Sequence, residues 1–162
     1  MHRDFQDHPV WREFTYKSLR YVADNYSGLI MVPMTVVNPL YHDQTVGALC
    51  REGLQVHHFT LLASCKTILR CLRRRGDGRH SWGAHQLDRC LSSLADEKFA
   101  VHLNTEGKTI EVVAEEIAHH VGLALNPPTW HPVLRPLNTD NCANLPYSLV
   151  VSCMSRSQST SR

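Results

Sequence analysis

Seven cations, Lys66, Arg70, Arg73, Arg74, Arg75, Arg79 and Arg89, face two carboxylates, Asp77 and Asp88, between positions 66 and 89. Arginine is the side chain suited to gripping phosphate oxygens, because its planar fork donates two parallel hydrogen bonds where a lysine offers a point charge. The cluster therefore fits charge neutralisation around a phosphoryl group. It also fits a plainer role as a solvated helix end, since each cation near a helix C-terminus gains about 0.3–1 kcal/mol against the helix dipole. Nucleic-acid binding fits worse: no aromatic residues interleave with the charges as stacking platforms.

A second candidate is Thr35, with Met34 and Asn38. The run LIMVPMTVV at 29–37 is continuously apolar, which predicts a strand covered on both faces. Thr35 then lies at its carboxyl end, where ligands bind in open α/β sheets. A magnesium-binding aspartate would be expected near there; the nearest carboxylate, Asp43, falls on the following predicted helix. The paired histidines at 57–58 and 119–120 point to opposite strand faces or about 100° apart on a helix, so neither pair converges on one ion. No HExxH, no Ser-His-Asp spacing and no cysteine with an evident base occurs, which argues against hydrolase chemistry. The six cysteines, at 50, 65, 71, 90, 142 and 153, form no CxxC pair and read as buried, reduced thiols rather than a zinc site or disulfide framework.

The elements that would position these residues follow from periodicity. Residues 8–26 predict a helix, with Trp11, Phe14, Leu19, Val22 and Tyr26 recurring at helical steps, Asp7 as N-cap and Pro9 in the first turn. Pro33 should end regular pairing of the 29–37 strand near Val32. A helix over 41–52 ends at Gly53; a strand over 55–62 follows, then a helix capped by Ser64 and running to about Arg75. RRRGDGRHS is a loop, 82–95 a helix, FAVHL at 99–103 a short strand, and Thr109 caps a last helix closed by Gly122. Four prolines lie within 126–136, and 152–162 has no apolar face, so 126–162 reads as an irregular Pro/Ser-rich tail, partly disordered. Three strands alternating with helices imply right-handed crossovers and a parallel sheet.

Composition is compatible with a single core: 162 residues, 43% hydrophobic, 20% charged, net charge +2. No apolar stretch reaches the roughly 18 residues of a membrane span, and the opening MHRDFQDH lacks a secretory pattern, so the cytoplasm is the expected compartment.

The segments DFQDHPVWREFTYKSL, GLIMVPMTVVNPLYHDQTVGALCREG, VHHFTLLASCKTILRCLRRR and SWGAHQLDRCLSSL resemble the tunicamycin-resistance ATP-binding proteins, a branch of the P-loop kinase-like NTPases. The resemblance covers roughly residues 4–125. It implies an α/β, parallel-sheet P-loop kinase-like fold over 1–125, ATP and Mg2+ as cofactors, and action on a tunicamycin-like nucleoside antibiotic as a phosphotransferase or ATPase, or by sequestration. By that resemblance Arg73 and Arg75 are catalytic lid residues, Arg70 and Arg74 bind nucleotide, and Trp11, Arg12, Tyr16 and Thr35 contact the acceptor, with Asp4 and His8 on the same segment. The family's G-x-x-x-x-G-K-[ST] loop has no counterpart in the sequence, so the fold is expected to be N-terminally truncated and to lack its central first strand. Strands 29–37 and 55–62 would then flank a gap, each orphaned buried group costing about 1–3 kcal/mol against a domain stability of about 5–15 kcal/mol. That predicts an unstable chain, or one whose unpaired strand edges recruit a partner or a second copy. A non-catalytic interaction domain and a functionless remnant are the competing readings.

Overall fold

Local capping signals set most element boundaries in the computed structural model, which describes residues 4–78, 80–126 and 150–156, and within the last stretch only the Met154 side chain. Helix α1 (Pro9–Asn25) starts on proline, as its fixed φ favours. Its N-cap position is His8, without a side-chain cap, and not Asp7. Asp7 instead ends a 3-10 turn, Phe5–Asp7, whose own cap is Asp4, accepting from the Gln6 N–H at 3.1 Å. Strand β1 (Ile30–Met34) follows. Asn38 caps α2 (Pro39–His42), which runs through a π-helical turn (Asp43–Gly47) into α3 (Ala48–Arg51). Gly53, at φ +83°, takes the left-handed conformation that ends this segment and opens β2 (Leu54–Leu62).

Ser64 accepts from the Thr67 N–H at 3.2 Å and starts α4 (Cys65–Arg74) as expected. Ser81 caps α5 (Trp82–Leu94), and Thr109 caps α6 (Ile110–His120). Strand β3 (His102–Asn104) is shorter and later than the expected 99–103. Its start is displaced because Glu97–Phe99 form a 3-10 turn that buries Phe99, whose carbonyl accepts from the buried Thr60 hydroxyl at 2.6 Å. The last described strand is β4 (Val150–Arg156).

The strand order is β1-β4-β2-β3. Strand β1 pairs antiparallel with β4, from Ile30 opposite Met154 to Met34 opposite Val150, and β2 pairs parallel with β3, from Thr60 opposite His102 to Leu62 opposite Asn104. This mixed helix and strand fold with a small parallel pair keeps the expected α/β class and corrects three of its details. Among the described residues there are four strands, not three, and one of them runs antiparallel. The place between β1 and β2, expected to be a gap, holds β4, which lies inside the stretch read as irregular tail. It did not read as a strand because Ser152, Ser155 and the basic Arg156 dilute its apolar residues, although Met154 is only 1% exposed. With that place filled, the premise for an unstable gap and for pairing through the two inner edges falls away.

Strand β1 is also not covered on both faces. Exposure alternates along it, with Met31 and Pro33 outward, which is the pattern of a strand buried on one side. Pro33 sits inside the strand opposite Val151 rather than ending it; β1 is an edge strand, the place where a missing N–H donor is tolerated. The expected prolines of 126–136, the Ser-rich end and Arg79 lie outside the described residues apart from Asn126.

The chain forms two compact units, Met1–His58 with Val150–Arg162, and Phe59–Leu149. The first has its core in Ala23, Leu49, Leu54 and Met154, with Tyr16, Leu19, Ile30, Val32 and Val56 packed around them. The second is built on Ile68, Leu72 and Leu87, flanked by Ala63, Leu69, Ala84 and Leu91. Cys71 and Cys90 are buried as expected, whereas Cys50 and Cys65 are exposed.

Candidate functional site

In the first unit the residues after β1 meet the start of α1 in one interlocked cluster. Gln6, buried, donates through Nε2 to the Thr35 carbonyl at the carboxyl end of β1. Arg12 donates from Nη1 to the Gln6 carbonyl at 2.6 Å and from Nε to Gln44 Oε1 at 2.7 Å, and its guanidinium lies 4.2 Å from the centre of the Tyr41 ring. Tyr41 in turn donates to Asp7 Oδ1 at 3.0 Å, and that bond raises the phenol above its ordinary pKa. The π-helical turn helps to make this possible: Thr45, buried within it, donates back to the Tyr41 carbonyl at 2.9 Å, and a turn of this kind reorients the side chains around it. Arg12 and Thr35, expected from sequence as acceptor contacts, are thus brought together through Gln6. Trp11 is half-buried and stands edge-on to Phe5, with centroids 5.0 Å apart. Tyr16 is not part of the cluster. Its ring packs on the core, and its hydroxyl donates to Glu52, which also receives Arg20 at 3.2 Å.

Sequence reasoning missed Gln6, Tyr41 and Gln44, since a lone amide or phenol carries no spacing signature. It also missed a histidine pair in the same unit. His42 Nε2 and His58 Nδ1 lie 3.4 Å apart with the rings edge to face, although the two are sixteen positions apart in sequence. Burial holds the His42 pKa below its ordinary value, with Asp43 opposing the shift.

In the second unit the candidate arginines occupy the C-terminal half of α4 and its cap. Arg70, Arg73, Arg74 and Arg75 are all exposed, and Arg75 lies 3.8 Å from Asp77. The carboxyl end of β2 carries a different chemistry. Glu106, just past β3, accepts from the Ser64 N–H at 2.9 Å and from the Thr67 hydroxyl at 2.5 Å. The Thr67 bond and then the Ser64 N–H hold its carboxyl below the ordinary range. Two donors at the N-terminus of α4, the Ser64 N–H and the Thr67 hydroxyl, are therefore taken by the protein's own carboxylate.

A nucleoside triphosphate with its magnesium needs a glycine loop of N–H donors, a lysine and a carboxylate beside the phosphates. These 162 residues contain no G-x-x-x-x-G-K-[ST], and among the described residues no group of three or more His, Cys, Asp or Glu side chains is placed to hold a metal ion. Among the described residues no seat for a triphosphate with its magnesium is assembled. Also among the described residues, no helix is long and apolar enough to cross a membrane.

No family model matches the sequence, and no curated protein matches it. Among solved structures, the tunicamycin resistance protein of Deinococcus radiodurans is similar: 34% of aligned residues are identical, 79% of this chain and 74% of that one are covered, and the TM-score is 0.66. This agrees with the resemblance read from VPMT, VHHFTL and SW-A-QLDRC. At that identity and coverage, the chain belongs to the tunicamycin resistance protein family.

Proposed function

We propose that this chain takes part in resistance to a tunicamycin-like nucleoside antibiotic by binding it in stoichiometric amounts, in the cytoplasm. The observation that carries the reading is the 34% identity with a tunicamycin resistance protein over most of both chains. The cluster after β1 is the place where such a ligand would bind, because its groups suit a nucleoside. Trp11 supplies an aromatic surface for a uracil ring, and Thr35 and Asn38 supply polar groups at the strand end. Arg12 serves this site by fixing Gln6, Gln44 and Tyr41, so it is a positioning residue rather than a ligand contact. Tyr16 contributes through the packing of α1.

Sequestration is preferred to phosphoryl transfer because the described residues offer no seat for a triphosphate. The second reading, a phosphotransferase in which Arg73 and Arg75 stabilise transferred charge while Arg70 and Arg74 hold nucleotide, is favoured by one observation, the exposure of all four arginines at one helix end. Incubation with γ-labelled ATP and tunicamycin separates the two. Sequestration leaves the antibiotic unlabelled; labelled antibiotic establishes the kinase reading instead.

A further inference from the structure

We propose that the outward face of α1 pairs with the same face of a second copy of this chain, antiparallel and about a two-fold axis. At about 100° per residue, Arg12, Tyr16, Leu19 and Ala23 share one side of α1. That side faces inward: Ala23 is buried, and Tyr16 and Leu19 pack on the core of the first unit. Val10, Phe14, Lys17 and Tyr21 fall on the opposite side, within an arc of about 60°. Val10 is 75% exposed, and Phe14 and Tyr21 are each 70% exposed. A surface helix normally turns charged and polar residues to water on that side, whereas α1 is apolar on both. At that exposure the two rings alone present about 200–350 Å², taking about 150–250 Å² for a whole aromatic side chain. With Val10 added, this approaches the largest patch that a monomer commonly leaves in water.

The charges on the stripe select the occupant. Lys17 lies on it, midway along, and is ion-paired at 2.7 Å with Glu13 at its border; Arg20 and Asp24 pair at 3.0 Å beside it. An anionic membrane would meet as many carboxylates here as cations, so nothing draws it to this face. A second copy is complementary. A two-fold axis sets residue i against j and j against i. An axis level with the midpoint of Thr15 and Tyr16 places Val10 against the partner's Tyr21 and Phe14 against the partner's Lys17. That ammonium then lies over the Phe14 ring and within about one residue's rise, about 1.5 Å, of the level of Glu13. The apolar ends cover each other, and along the axis the charges run Glu13, the partner's Lys17, Lys17 and the partner's Glu13, so each lysine lies beside a carboxylate of the other copy. So small an interface makes a weak dimer, with a midpoint at about 10–100 µM.

Sedimentation equilibrium of the full 162-residue chain across about 1–300 µM, which brackets that range, tests the proposal. Wild type passes from monomer to dimer mass. Glu13→Lys and Lys17→Glu each weaken association about tenfold, because like charges then meet across the axis. An equimolar mixture of these two variants regains at least the wild-type mass, since a stripe carrying two lysines meets one carrying two glutamates. Phe14→Glu removes association without changing the circular dichroism melt, because Phe14 makes no core contact. A wild-type chain that stays monomeric throughout, a mixture no stronger than either variant alone, or association that survives Phe14→Glu each overturns it. The mixing experiment guards against misfolding, since two damaged proteins would not restore each other.

Discussion

The two units hold their arginines in opposite ways. In the first, Arg12 is fixed on three sides by Gln6, Gln44 and the Tyr41 ring, so its charge organises a cluster and is not offered to a ligand. In the second, Arg70, Arg73, Arg74 and Arg75 stand exposed in the C-terminal half of α4 and at its cap, while at the other end of the helix Ser64 and Thr67 donate to Glu106. The contrast shows that charge density along a sequence locates exposed cations, while the arginine that organises a cluster can be a single one outside the densest run of charge.

The broadest way to break this comparison is to damage each core separately. Leu49→Ala, in the first unit at 0% exposure, should cost about 2–5 kcal/mol, and Phe99→Ala, equally buried in the second, about 3–5 kcal/mol. Hydrogen exchange read by mass spectrometry should show lost protection concentrated in the unit that carries the substitution; equal losses in both would mean that the units do not behave separately. Next in size is Arg12→Ala, expected to cost about 1–3 kcal/mol in a thermal melt through lost hydrogen bonds and stacking. Arg12→Lys should recover less than half, because lysine cannot reproduce the fork. By contrast, Arg73→Gln and Arg75→Gln should change stability by no more than about 0.5 kcal/mol.

Two smaller effects sharpen the comparison through pH. Burial keeps the folded-state pKa of His42 below its unfolded value, so the unfolded chain takes up the proton more readily. Stability should therefore fall as pH drops through about 6.5, and His42→Gln should flatten that part of the profile. Glu106 has a folded-state pKa lowered by Thr67 and Ser64, so its contribution is present above its unfolded pKa of about 4.3 and is lost as pH falls further. Glu106→Gln should remove this acid-side loss alone. Melts at stepped pH measure both; a single shared transition in pH, unaffected by either substitution, would count against these assignments.

Much of the fold was legible because it is written locally. Ser64, Ser81 and Thr109 cap the helices that their positions suggested, and Gly53 and Gly122 end the segments they were expected to end, both at positive φ. What could not be read depends on distant partners. Strand β4 has its apolar residues diluted by serines and is defined by pairing with β1, more than a hundred positions away. The one-sided burial of β1 depends on what packs over each of its faces, which LIMVPM does not encode. The candidate cluster was half legible. Strand-end logic pointed to Thr35 and the resemblance to Arg12, and the fold joins both through Gln6. Gln6, Tyr41 and the His42 and His58 pair are joined only by folding, across separations that no periodicity spans. Asp7 shows the limit of capping rules: Asp4 satisfied the first turn earlier, which released Asp7 to bind Tyr41.

The most direct test of antibiotic binding without nucleotide is a calorimetric titration of the 162-residue chain with tunicamycin, in the absence and then the presence of Mg-ATP. Saturable one-to-one heat that Mg-ATP leaves unchanged is the expected result. Binding that requires Mg-ATP, or no binding under either condition, would contradict it.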